Sequence, residues 1–231
     1  KGGASVSHGI FVGGSSIESL GAGALTLTGT GGTSAGGTNM GIYLKGVMTG
    51  IIGNTGAMLI SGTGGASTGP QNYGVHIHDG AIIASVGTGD DAAAINVIGA
   101  AGGTGSGATN IGVYIADTGA MITSIDGDIS VTGTGAAAST SNNNIGVRLI
   151  NDARIESTGT TANAAKITVI GNAGGTGALS ANNQGVSLQG AAAKITSGFG
   201  DISITGTGSA TAGSVNNHGI HILEGAHVTS T

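Results

Sequence analysis

Six times along this chain, once per period, an asparagine is followed two residues later by a glycine, and the glycine by an apolar–any–apolar triplet that opens with Val or Ile. The pairs are Asn39/Gly41, Asn72/Gly74, Asn110/Gly112, Asn144/Gly146, Asn183/Gly185 and Asn217/Gly219; Gly9 opens the series without its asparagine. Successive glycines stand 32, 33, 38, 34, 39 and 34 residues apart. A period of this length marks stacked supersecondary units, each needing its neighbours to bury its apolar side.

Within one period the pattern alternates with a period of two, the signature of strands. Gly112-Val113-Tyr114-Ile115 is followed by Ala120-Met121-Ile122-Thr123-Ser124, and that by Ile129-Ser130-Val131-Thr132-Gly133-Thr134. Gly and Asp separate the segments, as in Asp117-Thr118-Gly119 and Asp126-Gly127-Asp128, and both residues favour turns. No stretch carries a helical period. The reading is an all-β chain: a parallel β-helix (β-solenoid) with three short strands per coil of about 34 residues, right-handed by the crossover rule. It is taken as a single array over residues 1–231, about six and a half coils, or about 30 Å of rod at the spacing of paired strands. The chain starts at Lys1 without a methionine and stops two strands into its last coil, which suggests a fragment of a longer chain.

The registers agree from coil to coil. First strands point Val75/Ile77, Val113/Ile115, Val147/Leu149, Val186/Leu188 and Ile220/Ile222 inward; second strands repeat Ala-x-Ile/Val-x-Ser, as in Ala153/Ile155/Ser157. The columns Asn39, Asn72, Asn110, Asn144, Asn183 and Asn217 read as a structural ladder of stacked amides, with asparagine also suited to a left-handed turn. Inward serines are expected to bond to one another or to turn backbone. A second period lies on the first. Ten residues separate Ser85 from Ile95 and Ser157 from Ile167, but only five separate Ser124 from Ile129 and Ser197 from Ile202. Long and short turns thus alternate, and the long coils place Ile98 and Ile170 where their neighbours carry threonine, a candidate ridge for lateral contact.

Composition narrows the classes further. There are 50 glycines in 231 residues but a single proline, so collagen is excluded. With 39% hydrophobic and 7% charged residues the chain is not a disordered one. The absence of cysteine removes disulfide and thiolate chemistry. A scattered net charge of −5 argues against a nucleic-acid partner, and no run of about 20 apolar residues is present to span a membrane as a helix.

The repeats resemble those of large bacterial surface exoproteins, the filamentous-haemagglutinin-like and autotransporter-passenger adhesins. The motifs that carry this are Asn144-Ile145-Gly146-Val147, Ala153-Arg154-Ile155-Glu156-Ser157 and Ile202-Ser203-Ile204-Thr205-Gly206-Thr207-Gly208. The resemblance covers nearly the whole chain and is one of repeat grammar. It implies a secreted, extracellular or cell-surface stalk or fibre, adhering to a host, a glycan or another cell surface, or packing axially or laterally with itself.

Chemistry-bearing residues are few. Outward positions of the first strand align Phe11, Tyr43, His76, Tyr114, Arg148, Ser187 and His221; three of the chain's five aromatics fall there, which suits a contact surface. Acidic side chains gather at turns (Asp79, Asp117, Asp152 and Glu224 after the first strand; Asp126, Asp128 and Asp201 after the second). Calcium wants six to eight oxygens, and the nonapeptide calcium repeat is not found, so no cofactor is expected beyond that weak calcium option. His76 and His78 share a strand face, but His221 is too distant to complete a zinc site with them, and no metal is assigned. A polysaccharide-active β-helix enzyme needs clustered carboxylates; none is legible, and no catalytic residue is assigned. Partial threonine rows such as Thr26/Thr28/Thr30 leave an ice- or surface-binding solenoid, or a phage fibre, as alternatives to the adhesin stalk.

Overall fold

The computed structural model describes residues 6–177, 180–210 and 214–231. Strand alternation in the sequence is realised as three parallel sheets of seven, seven and six strands, each strand pairing with its counterpart one coil away. Among the described residues there is no helix. First-sheet strands run from Ile10–Gly13 to Ile220–Leu223, second-sheet strands from Ser16–Ser19 to His227–Ser230, and third-sheet strands from Leu25–Thr30 to Ile202–Thr207. The chain is a β-solenoid of about 34 residues per turn, and every register keeps equivalent positions in line, as in Val113↔Val147↔Val186.

That alignment turns the apolar positions into continuous internal columns. Ile42, Leu44, Val75, Ile77, Val113, Ile115, Val147 and Leu149 from the first sheet are fully buried, and they meet Ile83, Ile122 and Ile155 of the second and Val97, Val131 and Val169 of the third in one core. Burying such side chains is worth about 1.5–3 kcal/mol each. β-Branched Ile and Val suit the role because the pleated ladder already demands their restricted rotamers.

The recurrent glycine of Asn-x-Gly has a steric cause. At Gly146 an added Cβ would meet the backbone of Asn172, Gly185 and Gly133. The facing glycine of the third strand is equally confined: a Cβ at Gly133 would run into the Gly146 carbonyl. Two glycine columns therefore touch backbone to backbone at one corner of every coil. None of the six is left-handed. The left-handed residue is the one before each asparagine: Thr38, Gln71, Thr109, Asn143, Asn182 and Asn216 all have φ between 58° and 66°. This corrects the expectation that the ladder asparagines themselves occupy the turn.

What the ladder asparagines do is hydrogen-bond along the axis. The Asn39 side-chain amide donates to Asn72 Oδ1 (3.2 Å), Asn72 to Asn110 (3.2 Å), Asn110 to Asn144 (3.3 Å) and Asn144 to Asn183 (3.2 Å). The same oxygens accept backbone N–H groups, as at Asn72 to Asn110 Oδ1 (3.0 Å) and Asn183 to Asn217 Oδ1 (3.0 Å). Asn39 through Asn183 are completely buried, so the row replaces water for backbone groups that would otherwise be unsatisfied.

The inward serines follow turn length. Ser124 Oγ donates to Gly127 O (2.6 Å) in a short-turn coil. Ser85 and Ser157, which precede the long turns, have hydroxyls without a partner. The longer excursion carries the receiving carbonyl away.

Candidate functional site

The outward column of the first sheet is assembled in register: Phe11↔Tyr43↔His76↔Tyr114↔Arg148↔Ser187↔His221. The structure corrects how much of it faces solvent. His76, expected on the surface, is 5% exposed, Ser187 is 2% exposed, and Tyr43 and Tyr114 are half-buried, whereas Phe11 stays exposed. The cause is a second layer. The middle residue of each Asn-x-Gly folds over the strand that follows it, so Met40, Tyr73, Ile111 and Ile145 form a buried outer cluster against Tyr43 and Tyr114. Sequence reasoning missed this layer, although an apolar residue between Asn and Gly in four consecutive coils was its signal.

In the lower coils the column is a ring stack. His76 lies parallel between Tyr43 (5.0 Å, 8°) and Tyr114 (4.8 Å, 7°), and Tyr73 presents an edge to it (5.0 Å, 76°). Neither ring nitrogen of His76 has a hydrogen-bond partner. Burial holds its pKa well below the ordinary value, with His78 adding to the effect, so the ring is neutral. Burial likewise raises the phenols of Tyr73 and Tyr114. His78, beside it, sits between two carboxylates: its Nδ1 is 3.1 Å from Asp79 and its Nε2 2.8 Å from Asp117. These three side chains are the one group among the described residues with metal-ligand spacing. Lys45 Nζ stands 3.8 Å from Asp79, and Asn151 donates to Asp117. The carboxylates already have cationic and amide partners, and the group is far from the oxygen-only shell that calcium favours.

Other turn carboxylates are also engaged. Asp126 accepts the Gly89 N–H (2.7 Å), Asp128 accepts the Lys166 N–H (2.9 Å), and Asp152 pairs with Arg154 (2.8 Å). They serve adjacent coils or their own turn rather than converging on one point.

In the upper coils the column opens. Arg148 and His221 flank Ser187, and a groove of about 190 Å³ lies over it, lined also by Ile145, Gln184, Gln189 and Leu223. Arg148 Nη2 donates to Gln189 Oε1 (3.0 Å), while its Nε is buried without a partner. The Gln184 amide donates to His221 Nδ1 (2.6 Å), leaving the ring proton on Nε2. Burial, with help from His218, lowers the His221 pKa.

Ile98 and Ile170 lie in one outward column of the third sheet, separated by Thr132. Ile98 is exposed and Ile170 half-buried. The threonine rows there are interrupted: Thr26 aligns with Leu59, and Leu59 with Asn96. An exposed apolar pair that the sequence pattern did not flag, Val47 and Met48, sits in the turn between the first and second sheets.

No family model, curated protein or solved structure matches this chain.

Proposed function

We propose that the chain is a structural repeat segment of a secreted bacterial surface fibre or adhesin stalk, extracellular, non-catalytic and able to pack with copies of itself. The observation that supports this reading best is the buried asparagine row. Its amides donate both to a carbonyl of their own turn and to the asparagine of the next coil, so the buried polar row also ties coil to coil along the axis, as a mechanical element requires. The dispersed, already partnered carboxylates fit a non-catalytic role. Lateral packing would use the exposed Ile98 with Ile170 on the third sheet, or Val47 and Met48 at the neighbouring turn.

Negative-stain micrographs of the native material provide the test. Ile98→Asp with Ile170→Asp should disperse bundles into single rods, while Phe11→Ala with Arg148→Ala should weaken attachment to cells and leave rods intact. If neither pair alters bundling or attachment, both surface roles fail and the segment is a bare spacer.

A further inference from the structure

The groove over Ser187 differs from the rest of its column in size and chemistry. Every other position of that column carries a ring or a guanidinium; Ser187 alone is small, so Arg148 below it and His221 above stand apart with a gap between them. The second layer changes at the same level. Where Met40, Tyr73, Ile111 and Ile145 are apolar, the next coil places Gln184. Two local departures from the repeat thus coincide to make one polar recess.

Charge sharpens the picture. Lys45 and Arg154 each have a carboxylate neighbour; among the described residues Arg148, like the strand-edge Lys166 and Lys194, has none, and of these three only Arg148 lines the groove. It spends one amino group on Gln189 and keeps a buried Nε with no acceptor. That Nε is closed to solvent, but the half-buried guanidinium lines the groove, and its planar fork fits a carboxylate. Glu224, bonded to Gln189 (3.0 Å), stands at the rim and opposes a doubly charged guest. A monoanion is therefore favoured over phosphate. The remaining lining is hydroxyl-matching at the half-buried Gln189 amide and the Nε2–H of His221, beside the apolar flanks of Ile145 and Leu223; Gln184 is buried and holds the His221 ring in place. Its volume is below the range of drug-sized pockets and suits one ring rather than an extended chain.

We infer that the Arg148–Ser187–His221 groove binds a single carboxylated sugar residue, a uronate-type unit, with the carboxylate on Arg148 and the ring hydroxyls on Gln189 and His221. The inference builds on the reading of this face as a contact surface and names the chemistry of what it touches.

Saturation-transfer NMR tests it, because the method tolerates assembled protein. The 231-residue chain is mixed in turn with D-glucuronate, its methyl ester, D-glucose and acetate. Transfer to glucuronate should be saturable and at least about tenfold tighter than for the other three. Arg148→Gln should abolish it, and Ser187→Phe, which fills the recess, should do the same with the β-sheet circular dichroism unchanged. No transfer to glucuronate, undiminished transfer in Arg148→Gln, or acetate matching glucuronate would each overturn the assignment. Should Ser187→Phe misfold, Arg148→Gln decides alone, since its side chain lies outside the core. Rods that remain intact in micrographs while transfer is absent remove the ligand site and leave the proposed fibre role standing.

Discussion

The same outward column behaves in opposite ways at its two ends. From Tyr43 to Tyr114 it is a closed stack, with His76 sandwiched between tyrosines and roofed by Tyr73. From Arg148 to His221 it is open, with a serine floor and polar walls. The interior beneath does not change: Val75/Ile77 and Val186/Leu188 are all fully buried. A solenoid thus separates two tasks that a globular domain mixes. Its inner columns fix the fold coil by coil, and its outer columns are free to vary by single substitutions.

The largest expected effect should ignore the difference between the two ends. Gly112→Val and Gly185→Val each force a side chain into backbone of the next coil and should cost about 4 kcal/mol or more, seen as loss of cooperative thermal unfolding. If one tolerates valine, the touching glycine columns are not what holds that corner.

A smaller effect separates the ends. Tyr73→Ala empties the roof of the closed stack and should cost about 3 kcal/mol. Gln184→Ala, at the same position of the open end, should cost about 1 kcal/mol. Denaturant midpoints of the two variants make the comparison, and equal losses would mean that the second layer is uniform.

Acid should strike the closed end. His76 has its folded-state pKa depressed below the ordinary 6.5 by burial, so the unfolded chain binds the proton more readily. Its contribution to stability is complete above that ordinary value and declines as pH falls below it. Melting temperature should therefore drop between pH 8 and pH 5, and His76→Phe, which keeps the stack, should flatten much of that drop. An unchanged pH profile in His76→Phe would show that the burden lies on other histidines, such as His8 or His221.

The finest contrast lies inside. Ser124→Ala removes a bond to Gly127 and should cost about 1 kcal/mol, whereas Ser157→Ala removes no partner and should be neutral or slightly stabilising. Equal costs would mean that the alternation of turn lengths has no energetic consequence.

Most of the fold was legible because period-two alternation and a fixed repeat length speak directly of strands and stacking; the inward assignments of Ile83, Ile122 and Ile155 needed nothing more. The surface was harder to read. Alternation says that His76 points away from the core, but only the path of the linker decides that Tyr73 covers it. The groove depends on two absences, a missing ring at Ser187 and a missing apolar roof at Gln184, and absences stand out only once neighbours are known. The 38 residues between Asp79 and Asp117 match the Gly74–Gly112 spacing and so stack the two aspartates, but that His78 turns to lie between them is set by side-chain packing that the spacing does not show.

Cryo-electron microscopy of the intact material in its native setting tests the central claim most directly. The account predicts a continuous rod with an axial layer spacing of about 4.8 Å, in which neighbouring rods meet at Ile98 and Ile170. Discrete compact particles without that axial spacing would contradict it.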